Sequence, residues 1–203
     1  MDANHAAART TMTPQNLIED LQRQSIQKFL EEYLFDKVPH VFANDRAAYV
    51  AWKRVLSQAL DVDAACLTIV GSAAFGCSLN PTKNFKAFDD QSDIDVAVIS
   101  NHHFSIGWRY LRMNGGRRLR VDRRTQIAWD DHVHKYIYWG TIATDKLLGV
   151  LPFGKAWMEA STRMSLVDPS RDRDVKFRVY ADYESLRAYQ SNSVSAVRQS
   201  LFK

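Results

Sequence analysis

Two aspartates, Asp93 and Asp95 in the run SDIDVAVIS, are separated by one apolar residue. In an extended strand that spacing points both side chains to the same face. Like charges held so close repel, so one carboxyl takes up a proton unless a cation lies between them. Ile94, Val96 and Val98 in the same run are apolar and offer no cation. Mg²⁺, or Mn²⁺ in its place, is the natural occupant, held by one or two carboxylates together with substrate phosphates. Such a site supports transfer of a phosphorus-centred group, chemistry that runs mainly on positioning and electrostatics.

Upstream, LTIV has the length and β-branching of a buried strand and stops at Gly71. The small residues Gly71, Ser72, Ala73 and Ala74 let backbone amides approach an anion. A helix starting there directs its positive end at a phosphate. A triphosphate then fits between this turn and the metal. Each half is a weak signal alone, because most Gly-Ser pairs only turn the chain. In this order the two halves reinforce each other.

On these residues the chain resembles the DNA polymerase β-like nucleotidyltransferase superfamily, whose signature is a hydrophobic strand, Gly-Ser, then an acid-hydrophobic-acid strand. The resemblance is carried by residues 66–100. The stretches GSAAFGCSLNP and FDDQSDIDVAVIS, with Phe104, Trp108 and the C-terminal VKFRVYADYESLRAYQSNSVSAVRQSL, are similar to bacterial phage-defence nucleotidyltransferases. Within these the likeness is to the cyclic-oligonucleotide-synthase-like and Hailong types. The resemblance implies a Mg²⁺-dependent transfer of a nucleoside monophosphate from an NTP or dNTP to a hydroxyl. It also implies an oligonucleotide product or nucleic-acid acceptor, and an effector protein encoded nearby. Two other readings stay open: a nucleotide-sensing or partner-binding module without turnover, and nucleotidylation of a partner toxin.

The same resemblance calls for a third carboxylate from a neighbouring strand, and Asp174 at the head of VKFRVYAD is the candidate. The inner polar positions of that strand are Lys176 and Arg178, and Arg178 can hold a phosphate or neutralise the acid pair. Ser72 and Asp93 stand 21 positions apart, longer than in minimal members of the superfamily. Lys83 and Lys86, inside the extra material NPTKNFKAFDD, can reach phosphates. Other chemistry has less behind it. WDDHVHK meets no zinc template and reads as a solvated polar segment. GSAAFG is not the nucleophile elbow, because its second glycine is displaced. Tyr180, Tyr183 and Tyr189 can stack on a base or supply a priming hydroxyl.

The elements that must position these residues are mixed. The spacing predicts one helix from Leu17 to Leu34, closed by Pro39, and a second over DRAAYVAWKRVLSQAL. Strands are predicted at 67–70 and 94–99, with a short helix after the Gly-Ser turn. Residues 104–113 read as helix, 125–139 are ambiguous, and 141–151 with 154–165 read as helical around Pro152. VKFRVYAD alternates as a strand and YESLRAYQSNSVSAVRQSLF repeats as a helix. The predicted fold is α/β (α+β), a mixed sheet flanked by helices, in a single domain over 1–203. Residues 1–15 are expected to fray, and 174–203 supply the C-terminal strand and helix.

With 46% hydrophobic and 25% charged residues, the chain can bury a sizeable core. No window is apolar enough for a secretory signal or a membrane span, so a cytoplasmic location and no membrane partner are expected. Cys66 and Cys77 are expected as buried thiols. Net charge is only +4, but residues 117–124 read RRLRVDRR after Gly115 and Gly116. That run is either a phosphate-binding patch or a solvated loop.

Overall fold

A computed structural model describes residues 14–202. The chain opens with helix α1 (Pro14–Arg23) and helix α2 (Ile26–Leu30), the latter continuing as a π-helical turn to Phe35. The single predicted N-terminal helix is therefore two, because Ser25 leaves helical geometry and caps α2 by accepting from the Lys28 amide. Of the segment expected to fray, residues 1–13 lie outside the described residues, while Pro14 and Gln15 already belong to α1.

Helix α3 (Arg46–Leu60) is capped by Asp45 and ends at Asp61 in the left-handed region. Strand β1 (Leu67–Val70), helix α4 (Ser72–Phe75), strand β2 (Ile94–Ile99) and helix α5 (Asn101–Met113) follow. Helix α6 (Arg123–Asp131) runs on as a π-helical turn to Tyr136. Strand β3 (Thr141–Ile142), helix α7 (Gly154–Met164), strand β4 (Val175–Tyr180) and helix α8 (Tyr183–Ser200) complete the chain.

Two sequence expectations change here. The ambiguous 125–139 is helical throughout, and His132 is fully buried rather than solvated. Its Nδ1 bonds the Ala128 carbonyl and its Nε2 accepts from the Ala143 amide at 2.8 Å, so it ties α6 to the segment after β3. Residues 141–142, expected in a helix, instead pair with β4 at the sheet edge. Thr141 and Thr144 donate to the Val179 and Phe177 carbonyls at 2.7 and 2.6 Å, bonds that a helix of that register does not offer.

The architecture is mixed α/β with a four-stranded sheet of order β1-β2-β4-β3. β2 runs antiparallel to β1 and parallel to β4. Its five apolar residues are all buried, as a central strand requires. The register sets Val96 against Phe177 and Asp95 against Lys176. One sheet face thus carries Ile94, Val96, Val98, Val175, Phe177 and Val179, and α7 covers it with Trp157, whose ring meets Phe177 at 5.6 Å. The other face carries Asp95, Lys176, Arg178 and Tyr180, and α8 closes over it through Tyr189, 5.9 Å from the Tyr180 ring. The polar positions of two adjacent strands therefore converge under α8.

A main core cluster spans the sheet and most helices, and a satellite of Leu111, Ala128, Trp129, Ile142, Leu147 and Leu151 supports α5 and α6. Phe104 and Phe153 pack against both. Trp52 donates to Ser170 Oγ at 2.9 Å, satisfying its indole inside the core. Both cysteines are free; Cys77 is buried and Cys66 half-buried. Among the described residues no helix is long and apolar enough to cross a membrane.

Candidate active site

β1 ends at Val70, whose register partner is Asp95. The next residue, Gly71, has φ +68° and ψ −153°, a region open essentially to glycine alone. A Cβ built on it would lie 2.9 Å from Asp95 Oδ2. Glycine is required twice over, by its backbone and by the carboxylate beside it. The turn starts α4, whose first backbone bond runs from the Ala74 amide to the Gly71 carbonyl at 3.1 Å. The Ser72 and Ala73 amides precede that bond and have no intrahelical acceptor. Gly71 is thus set directly against Asp95, and Ser72 lines a small cavity together with Asp93 and Asp95.

Asp93 lies one residue before β2 and Asp95 is its second residue, so both project from the same face. Burial pushes the Asp95 carboxyl above the usual carboxylate range, and the Asp93 charge pushes the same way. Lys176 and Arg178 oppose this without cancelling it.

The cation missing from the acid strand itself comes from the neighbouring one. Lys176, the register partner of Asp95, donates from Nζ to Asp93 Oδ2. Burial lowers the Lys176 pKa, but the Asp93 bond and the charges of Asp93, Asp95 and Asp174 outweigh it and hold the ammonium above its usual value. The two side chains are 37% and 40% exposed, so solvent limits the pair to about 1 kcal/mol.

The loop that delivers Asp93 is a folded unit. A bridge joins Cys77 to Ala87, and the Phe88 amide bonds the Gly76 carbonyl at 2.9 Å. Arg173 fastens its far end, donating to the Asp89 carbonyl, to the Ser92 carbonyl at 3.1 Å and to Asp90 at 3.1 Å. Its guanidinium also stacks 4.7 Å from the Phe88 ring. Arg173 escapes a motif search because its partners lie over 80 positions away, mostly at backbone carbonyls.

Two adjoining cavities meet at Ser72, Ser78, Lys83 and Asp95. The larger, about 590 Å³, runs under α8 and is bounded by Gly71, Phe75, Lys176, Arg178, Tyr189 and Gln190 among others. The smaller, about 100 Å³, also includes Lys86, Ser92 and Asp93. Lys83 is exposed and reaches both. Lys86 lines only the smaller one and pairs with Asp89 at 2.8 Å, so its charge is already engaged.

Arg178 does not neutralise the acid pair directly. Its guanidinium lies between Tyr136 and Tyr189, 5.2 and 4.9 Å from their centroids, and donates to Tyr189 Oη at 2.9 Å. It acts on Asp95 only through its charge. The Tyr180 hydroxyl is buried at the cavity wall beside the Gln190 side chain. Tyr183 is committed elsewhere, donating to the Ala65 carbonyl at 2.6 Å.

Asp174 is not brought into the site. It is exposed ahead of β4, its carbonyl accepts the Ile94 amide at 2.9 Å, and its carboxylate lines neither cavity. Among the described residues no three His, Cys, Asp or Glu side chains are grouped to hold a metal. Lys176 stands beside Asp95 as its register partner on β4. Asp145, which no sequence motif marks, lines the larger cavity and adds its charge to the field at Asp95 and Arg178.

The donor set still fits one hard divalent ion. Asp93 and Asp95 offer carboxylate oxygens on one face beside open space, and such an ion keeps waters and substrate phosphates as its remaining ligands. Compared with protein-family models, curated proteins and solved structures, the chain matches none.

Proposed function

We propose that the protein is a nucleotidyltransferase that moves a nucleoside monophosphate from an NTP or dNTP to a hydroxyl acceptor. The observation that carries this reading is the approach of Gly71 to Asp95, where a Cβ would stand 2.9 Å from the carboxylate oxygen. It sets an uncapped helical turn against Asp95, which lines both a cleft large enough for a nucleotide and the smaller cavity it shares with Asp93. Phosphate-binding donors and metal-binding acceptors then face the same few ångströms of space.

Asp93 and Asp95 hold the ion, Mg²⁺ or Mn²⁺. When bound, the ion neutralises charge on the transferring phosphate and lowers the pKa of the attacking hydroxyl. Ser72 and the first amides of α4 grip the triphosphate tail, and Lys83 offers it a mobile positive charge. The acceptor oxygen bonds the α-phosphorus as the bond to pyrophosphate breaks, and the hydroxyl proton leaves to solvent. Arg178, Tyr189 and Gln190 bound the space left for the rest of the nucleotide. An oligonucleotide signal in phage defence is the product class suggested by sequence resemblance, with an effector protein encoded nearby as its partner.

One observation favours a second reading. Lys176 pairs with Asp93, and among the described residues no third His, Cys, Asp or Glu side chain groups with the acid pair to hold a metal, which suits a module that binds nucleotide without turning it over. Mass spectrometry of products after incubation with mixed NTPs and dNTPs and Mg²⁺ separates the two. New phosphodiester or nucleotidylated species support transfer. Intact nucleotides retained by the protein support the sensing module.

A further inference from the structure

Seven arginines and no lysine lie between residues 109 and 124, with Asp122 the sole acid there. Outside this segment the chain carries more acidic than basic side chains. Its net positive charge is therefore local. The segment comprises the end of α5, a 3₁₀ turn at Gly115–Arg120 and the start of α6. Arg109, Arg112, Arg117, Arg120, Arg123 and Arg124 are all exposed, and Arg118 is half-buried.

The segment does not neutralise itself. Asp122 is occupied as the α6 cap, accepting from the Thr125 amide at 3.0 Å. Asp130 pairs with Arg118 at 2.6 Å, and Asp131 pairs with Lys135 at 3.1 Å. Among the described residues Arg117, Arg120 and Arg124 make no ion pair. Added Cβ atoms on Gly115 or Gly116 would meet nothing within 4 Å, so the backbone between the two helices is uncovered as well.

We propose that this ridge binds the phosphate backbone of nucleic acid. Arginine forks suit phosphodiester oxygens, and an extended run of them matches an extended polyanion better than one small anion. A lipid surface fits less well. The apolar faces of α5 and α6 are already buried through Leu111, Ala128 and Trp129. The exposed apolar residues Met113, Leu119 and Ile127 come from three different elements and make no single insertion face. The inference does not depend on the nucleotidyltransferase reading.

The test is fluorescence anisotropy of labelled single-stranded DNA of about 20 nucleotides, in EDTA and without nucleotide, from about 50 to 300 mM salt. Wild-type protein binds, and log K falls against log salt with a slope of about −3, the value for some four phosphate contacts on a single strand. Replacing Arg117, Arg120, Arg123 and Arg124 together by Gln weakens binding at least about tenfold and flattens the slope. Asp93→Asn with Asp95→Asn leaves both unchanged, which separates the ridge from the cleft. If the fourfold variant misfolds by circular dichroism, Arg117→Gln with Arg124→Gln loses about half the slope. Full binding by either folded variant overturns the proposal. So does a wild type that ignores the oligonucleotide, including one that instead binds phosphatidylserine vesicles.

Discussion

The carboxylate pair and the arginine ridge hold opposite charges in opposite surroundings. Asp95 sits half-buried under α8, next to a glycine with no room for a methyl group, and its carboxyl is raised by burial and by Asp93. The arginines stand in solvent on a satellite core, where ions screen them within about 8 Å at physiological salt. A concave, partly desolvated site concentrates its field on one small, highly charged ligand. An exposed run of charges spreads its field along an extended one. The two regions differ in what a single substitution can damage, since the site depends on fixed geometry and the ridge on summed charge.

The sharpest break comes at Gly71. Gly71→Ala places a side chain in a glycine-only region and against Asp95 Oδ2, and we expect a loss of about 2 kcal/mol in urea denaturation together with loss of nucleotide binding. Gly149→Ala, where an added Cβ meets nothing within 4 Å, is expected to stay within about 0.5 kcal/mol. Equal effects at the two glycines would remove the geometric argument.

Next in size is Lys176. Without its ammonium the acid pair lacks its resident cation, so Lys176→Met should bind Mn²⁺ about tenfold more tightly in nucleotide-free protein. Lys176→Arg should resemble wild type. Unchanged Mn²⁺ affinity by electron paramagnetic resonance would mean that the lysine does not compete for the site.

A smaller effect separates the regions by pH. Burial lowers the His132 pKa, the charges of Arg178 and Lys146 act in the same direction, and the bond to Ala128 opposes them. The unfolded chain therefore binds the proton more readily. Stability from neutral His132 is present above its unfolded value of about 6.5 and is lost as pH falls below it. Hydrogen exchange should accelerate first over residues 123–143 beneath the ridge, while β1 and β2 stay protected. Uniform acceleration would contradict the separation. The smallest effect is on the ridge itself, where the fourfold Arg→Gln change should alter stability by no more than about 0.5 kcal/mol while weakening polyanion binding at least about tenfold.

Local patterns made much of this legible in sequence. LTIV and IDVAVI are strands at their predicted bounds and VKFRVYAD is one up to Tyr180, two residues short of its predicted end, because β-branched and alternating residues report burial directly. The sequence pairs Gly71 with Asp95 as parts of one expected site, and the register makes them neighbours in space. What escaped depends on contacts between distant segments. Lys176 reaches Asp93 only because β4 pairs parallel to β2, and Arg173 acts on a loop more than 80 positions upstream. Asp174 suited its role in chain order but falls just outside the strand, exposed and turned to neither cavity. His132 looked solvated beside Asp130 and Asp131, yet the helix turns it inward to satisfy two backbone groups.

The most direct test of the central claim is release of labelled pyrophosphate from mixed NTPs and dNTPs, with and without Mg²⁺, by wild type and by Asp93→Asn with Asp95→Asn. The acid pair as catalytic centre requires metal-dependent release by wild type and none above background by a double variant that keeps its fold. Wild-type-like release by the folded double variant would contradict it.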